Sequence, residues 1–286
     1  MLEYPDRTQL LVTPEALAEE LRRGEQLSIL DVRWRLDQPD GRAEYRDGHL
    51  PGAVYVDLDT ELAELGEPSD GRHPLPGVER LQAAARRWGL TAGSSVVVYD
   101  NLSGLSAARA WWLLRYAGLA RVRVLDGGYR AWTRAGLPIE TTPSTPIPGD
   151  VVLAYGSLPV IDIAQAAQFS TRGTLLDARA AERYRGDTEP IDPRAGHVPG
   201  AVSAPVTETL DENGQFKSAA ELRDWLLAHG VHPEQPVGVY CGSGVTASTL
   251  ALAATLAGFE PQLYPGSWSQ WSNHPDRPVA VGDAPG

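Results

Sequence analysis

The chain repeats itself. "ILDVRWR", from Ile29, returns as "LLDARAA" from Leu175, and "YRDGHLPGAVYVDL", from Tyr45, returns as "PRAGHVPGAVSAPV" from Pro193. "VVVYDNLSGLSAARAWWLL", from Val96, matches "VGVYCGSGVTASTLALAAT" from Val237, and "LDGGYRAW", from Leu125, matches "YPGSWSQW" from Tyr264. Four blocks in one order, about 140 to 148 positions apart, restrict the possible folds more than any other feature. Solenoid units are far shorter, so a repeat of this length means two copies of a whole domain. Between the copies, "LPIETTPSTPIPGD" (residues 137–150) holds four prolines. Proline fixes φ and removes a backbone donor, so this segment reads as an extended strap with a boundary near residue 145. The expected division is a first domain over 1–140, a linker over 141–155 and a second domain over 156–286.

Within each copy, β-rich runs ("LSILDV", "SVVVYD", "VRVLDG") alternate with helical ones ("TPEALAEELRRG", "GVERLQAAARRWG", "SAARAWWLLRYAG"). Thr13-Pro14 reads as an N-cap followed by proline at the first helical position. The alternation predicts an α/β fold, with a mostly parallel sheet flanked by helices in each copy. In such sheets the chemistry gathers at the C-terminal ends of the strands.

Composition narrows the function. The chain has 286 residues, 42% hydrophobic and 22% charged, as in a soluble globular protein. A net charge of −12 argues against a nucleic-acid surface, which needs basic patches. No run approaches the length of a membrane span. The N-terminus lacks a basic region followed by an apolar core, so no secretory signal is expected. A single cysteine cannot form an internal disulfide, and a cytoplasmic location is expected.

That cysteine, Cys241, ends an apolar run and opens the loop "CGSGVTAS". Gly242 and Gly244 allow a sharp turn, and Thr246 and Ser248 are candidate caps of the following helix. If the amides of residues 242–246 point inward, they form an anion nest reinforced by the helix dipole. A sulfur at the centre of such a nest ionises more readily. Lone cysteines are often buried and inert. The repeat weighs against that reading, because the same place in the first copy holds Asp100: one copy reads as active and the other as retired. A cysteine phosphatase would need an arginine six residues after the cysteine, where this chain has Ala247. A cysteine protease would need a histidine beside the thiol.

The tandem copies "DVR…GHLPGA" and "DAR…GHVPGA", the paired "GGYRAW" and "GSWSQW", and the loop "CGSGVTA" resemble two-domain rhodanese-type sulfurtransferases over nearly the whole chain. The resemblance implies two tandem rhodanese-like domains, the first inactive and the second carrying the cysteine. It implies that the Cys241 thiolate takes a sulfane sulfur from a donor and passes it, as a persulfide, to a thiol, cyanide or thioredoxin-like acceptor. It implies neither a metal nor an organic cofactor. Family members that use thiosulfate carry cationic side chains just after the cysteine, where this chain has Gly242 and Ser243. "CGSGVTA" is similar to the loop of the mercaptopyruvate-type members, so 3-mercaptopyruvate is the expected donor. The alternatives are thiosulfate as donor, and a non-catalytic module that carries sulfur or docks on another protein. By the same resemblance, Ser243, His73 and Asp59 form a proton relay across the domains. Arg183 and Arg194, chosen over Arg185, hold the donor, and the backbone of Gly242, Gly244, Val245 and Thr246 lines the sulfur site. Where the family often has an aromatic residue and a proline, this chain has "LSAAR" (105–109), which predicts a more open lining.

Other features read as structural. "HGVH" (His229, His232) lacks zinc-pair spacing and reads as a helix-ending loop. His49 and His197 recur in both copies whether or not a cysteine is present. The tryptophans, including Trp111, Trp112, Trp132 and Trp271, are expected to pack helices onto sheets.

Overall fold

Nine short strands form two parallel sheets, one per copy of the repeat, in a computed structural model that describes residues 4–286. The first sheet contains β1 (Leu11–Val12), β2 (Leu27–Asp31), β3 (Val54–Tyr55), β4 (Ser95–Tyr99) and β5 (Val122–Leu125) in the order β1-β5-β4-β2-β3. The second contains β6 (Thr174–Asp177), β7 (Ala201–Ser203), β8 (Val237–Tyr240) and β9 (Pro261–Leu263) in the order β7-β6-β8-β9. The copies superpose in logic: β2 lies between β3 and β4 as β6 lies between β7 and β8. The outermost β1 is echoed in the second sheet by a single parallel bridge, Val160 to Leu263.

The three strand runs and three helical runs read from the first copy all form. Central strands of a parallel sheet are covered on both faces and are therefore apolar throughout. Accordingly Val97, Val98, Val239 and Tyr240 are fully buried. Thr13 Oγ1 accepts the Ala16 amide at 3.2 Å, with Pro14 at the first position of the Pro14–Arg22 helix. Trp111, Trp112, Trp132 and Trp271 are all buried among the helices and sheets.

Each copy is locked by the same charged clamp beneath its central strands. Arg33 donates to both oxygens of Asp31 and to Gly48 O, while the Tyr99 hydroxyl donates to Asp31 Oδ2 at 2.5 Å. In the second copy Arg179 forks onto Asp177 and donates to Gly196 O. His49 and His197 are also buried, stacked on Tyr45 and Tyr184, each with Nδ1 on that tyrosine's carbonyl. Their recurrence is thus a matter of packing.

The proline-rich segment does not float. Gly149 and Val151 donate backbone hydrogen bonds to Arg86 O and Leu90 O, and Arg86 Nε returns one to Val151 O. Further on, Val151 and Leu153 are buried. The strap therefore runs along the Val78–Arg87 helix before entering the second domain. The Ala107–Tyr116 helix of the first copy packs against the Thr246–Leu256 helix of the second, and one apolar cluster is continuous across both domains.

A buried ion pair that loses one partner leaves an uncompensated charge in a low-dielectric interior. Asp177→Ala should therefore lower the unfolding free energy by about 3–5 kcal/mol, read from urea melts. A loss below about 1 kcal/mol would contradict the clamp.

Candidate active site

Cys241 stands at the C-terminal end of β8, buried, at the floor of a cavity of about 290 Å³. The cavity is lined from the first domain by Trp34, Leu36, Arg72 and Leu105, and from the second by Arg183, Gly242, Ser243, Val245 and Thr246 among others. The Gly244 N–H donates to Cys241 Sγ at 3.2 Å, one of the inward amides expected of a nest. Gly244 needs φ +78°, and a side chain there would collide with Pro265 O. The loop is pinned from behind: Cys241 N donates to Ser267 Oγ, Trp268 N to Cys241 O at 2.9 Å, and Ser269 N to Gly242 O at 2.7 Å. Ser267 itself sits at φ +53°, an uncommon conformation for a residue with a side chain, beside the reactive strand end.

The caps expected from Thr246 and Ser248 are not made. Val245 occupies the N-cap position without a capping side chain, and Ser248 Oγ turns back to donate to Gly244 O at 3.1 Å. The first-copy loop supplies the contrast. The Asp100 carboxylate is buried and accepts four backbone amides: Leu102 and Gly104 on Oδ1, Ser106 and Ala107 on Oδ2, at 2.7–2.9 Å. Burial pushes its pKa up, while the four amides pull it down. This loop type thus binds an anion, and in the first copy the anion is its own side chain.

His73 reaches the second domain on a segment docked against the Ser267–Ser272 helix, where Arg72 N donates to Ser269 Oγ at 3.0 Å. His73 Nδ1 lies 2.7 Å from Ser243 Oγ, and Nε2 lies 3.2 Å from Asp59 Oδ1. The second contact is close enough for an ion pair but is not aligned as a hydrogen bond. With Nε2–H toward the carboxylate, Nδ1 is left to accept from the Ser243 hydroxyl. Trp34 packs edge-on against the His73 ring at 5.3 Å. Burial is the main force on this imidazole and lowers its pKa below the ordinary 6.5, with Asp59 opposing and Arg109 assisting. His73 is therefore neutral at neutral pH. It is a buried residue, not a surface-loop histidine.

The expected arginines separate. Arg183 lines the cavity; its Nη2 donates to Glu189 Oε1 at 2.6 Å and lies 3.2 Å from Asp192 Oδ2. Arg194 is a correction: its guanidinium donates to four backbone carbonyls, those of Trp271, Ser272, His274 and Arg277, at 2.7–3.0 Å. Four of its five N–H groups are committed to the turn after the Ser267–Ser272 helix, and it is not among the residues that line the cavity. Arg185 pairs with Asp187 at the surface. The second cavity arginine is instead Arg72, which sequence reading passed over although it precedes His73 in "GRHPLPG". Arg72 Nη1 donates to Asp192 Oδ1 at 2.7 Å. A Cβ at Gly242 would stand 3.3 Å from Arg72 Nη2 and 3.5 Å from Arg183 Nη1, so glycine after the cysteine gives both guanidiniums room. Both Nε atoms are buried without a partner in the protein.

Arg109 was also missed. It is fully buried, and it donates to Leu62 O and His73 O in its own domain and to Gly244 O of the catalytic loop. Burial pushes its pKa down to about 10, so it stays charged. "HGVH" behaves as a helix end: His229 closes the Ala219–Ala228 helix, with Nδ1 on Trp225 O.

The rhodanese-like domain family matches residues 13–135 and again 162–274. A protein of Mycobacterium tuberculosis named putative thiosulfate sulfurtransferase SseB is 47% identical over 97% of this chain and 99% of its own length. A probable 3-mercaptopyruvate sulfurtransferase of Pseudomonas aeruginosa is 44% identical over 96% of this chain and 98% of its own. The crystal structure of SseA from Escherichia coli, described as a 3-mercaptopyruvate sulfotransferase, aligns with TM-score 0.81 at 33% identity. That alignment covers 91% of this chain and 99% of the other.

Without Arg194, Trp271 O and His274 O keep the His274 and Arg277 amides, but Ser272 O and Arg277 O lose their donors, each at a desolvation cost. Arg194→Ala should lower the unfolding free energy by about 1–3 kcal/mol in urea melts. A melt unchanged from wild type would refute the clamp assigned to it.

Proposed function

Because this chain belongs to the rhodanese family of sulfurtransferases, we propose that its sulfur donor is 3-mercaptopyruvate and that Cys241 carries the sulfur as a persulfide. The observation that supports this donor best is the Ser243–His73–Asp59 chain, which opens on the cysteine's cavity and crosses from one domain to the other. A donor with a thiol to deprotonate and a carbon to reprotonate needs such a relay, whereas thiosulfate does not.

In this reading the donor's carboxylate meets the guanidiniums of Arg72 and Arg183, which line the cavity beside Gly242. The donor thiol gives its proton to Ser243 as the serine proton passes to neutral His73, and Asp59 steadies the imidazolium. The Cys241 thiolate attacks the donor sulfur, the carbon–sulfur bond breaks, and the electron pair leaves on the enolate of pyruvate. The proton held by the relay returns to that carbon. The outer sulfur of the persulfide, held near the Gly244 amide, is then attacked by an acceptor thiol, cyanide or a thioredoxin-like protein, which releases the Cys241 thiolate. Gly242, Val245 and Thr246 shape the wall around that sulfur. A reducing cytoplasm suits a lone thiol of this kind.

A second reading keeps the mechanism and changes the donor to thiosulfate, and the name of the mycobacterial relative favours it. Comparing kcat/KM for the two donors at one cyanide concentration decides between them. Mercaptopyruvate is expected to be preferred; a preference for thiosulfate would overturn the donor assignment. Absence of turnover with either would favour a carrier module.

Two further outcomes probe the relay. Ser243→Ala should cut mercaptopyruvate turnover by about 10²–10⁴-fold and thiosulfate turnover far less, so equal losses would count against it. Since His73 acts neutral and its pKa lies below 6.5, lowering the pH should leave kcat/KM for mercaptopyruvate on its plateau down to about 6.5. The acid limb then falls below that value as His73 is protonated; a limb centred above 6.5 would exclude His73 as its source.

A further inference from the structure

The cavity wall behind the two ligand-facing arginines is a closed electrical network. Arg72, Arg179 and Arg183 are joined to Asp177, Glu189 and Asp192 by contacts of 2.6–3.4 Å. Three positive and three negative groups leave this wall without net charge. Asp192 is its hinge: its side chain is 3% exposed, and its two oxygens divide between Arg72 of the first domain and Arg183 of the second. The loop that carries it is folded around Glu189, whose Oε1 accepts the amides of Ile191 and Asp192. Asp192 therefore performs two operations at once. It holds two guanidiniums side by side at Gly242 on the cavity wall, and it cancels one of their charges.

We propose that Asp192 determines donor specificity by charge, presenting a paired-arginine seat that accepts a monocarboxylate and discriminates against a dianion. The inference rests on the mercaptopyruvate reading above and names a residue that neither touches donor nor reacts. Coulomb energy is proportional to ligand charge, so adding one positive charge to the seat helps a dianion about twice as much in free energy as a monoanion. If the monoanion gains x-fold in affinity, the dianion gains about x²-fold. A bulky neutral seat would show no such scaling.

The test measures kcat/KM for 3-mercaptopyruvate and thiosulfate, at fixed cyanide, in wild type, Asp192→Asn and Asp192→Glu. In Asp192→Asn the ratio of thiosulfate to mercaptopyruvate efficiency should rise at least about tenfold, while Asp192→Glu, which keeps the charge, should stay within about threefold of wild type. An unmoved ratio in Asp192→Asn, or an equal rise in Asp192→Glu, would overturn the proposal. Protection of Cys241 from iodoacetamide reads the seat without turnover: from wild type to Asp192→Asn the protecting concentration of sulfate should fall by more than that of pyruvate, and an equal change in both would overturn the proposal. The two readings fail separately: wild-type preference for thiosulfate sinks the donor assignment, whereas the change in ratio on substitution judges Asp192 alone.

Discussion

Arg109 holds the machine together. Its guanidinium is fully buried on the Ala107–Tyr116 helix, and its hydrogen bonds end on Leu62 and His73 in one domain and on Gly244 in the other. Among the described residues no carboxylate pairs with it at salt-bridge distance. A buried guanidinium without a carboxylate partner is costly, so the carbonyls around it are drawn in and kept there, and an ionised Cys241 sulfur would favour its charge. Those carbonyls belong to the segment that carries the relay histidine and to the turn that carries the cysteine. The same contact that offsets the buried charge fixes the relative position of two domains whose reactive parts must meet.

The duplication explains why one copy can serve the other. Both copies form a strand-to-helix loop with the polarity of an anion trap, but the first closes its trap on Asp100 with four amides. That loop then has no capacity left for a ligand and acts as structure. Its domain contributes instead through other segments: Trp34 and Arg72 to the cavity wall, and Asp59 and His73 to the side-chain contacts that reach Ser243. The second copy has a cysteine in place of that carboxylate, a glycine beside it and an uncapped helix start.

Much of this was legible in the residues because period and repetition are local properties. The strand runs, the helices and the proline-rich strap follow from patterning within each segment, and the contrast between Asp100 and Cys241 needs only an internal alignment. The contact between Ser243 and His73 could be expected only through family resemblance, since 170 positions separate them and no spacing rule joins them. Arg194 illustrates the failure mode. From sequence, an arginine in a polar loop looks free to bind an anion, yet a nearby turn offered four carbonyls and captured it. Arg72, Arg109 and Asp192 escaped notice for the converse reason. Their meaning lies in what another domain presents to them, and a one-dimensional pattern does not encode that.

The Ser243–His73 hydrogen bond has a mechanical consequence. At 2.7 Å it spans the junction between the two domains, each of which has its own sheet and charged clamp. Proton transfer is steeply sensitive to separation, and a misplacement of about 1 Å can cost two orders of magnitude in rate. The apolar cluster shared by the two domains and the Arg109 contacts across the junction hold that separation, so the stiffness of the junction is what keeps the Ser243–His73 contact short.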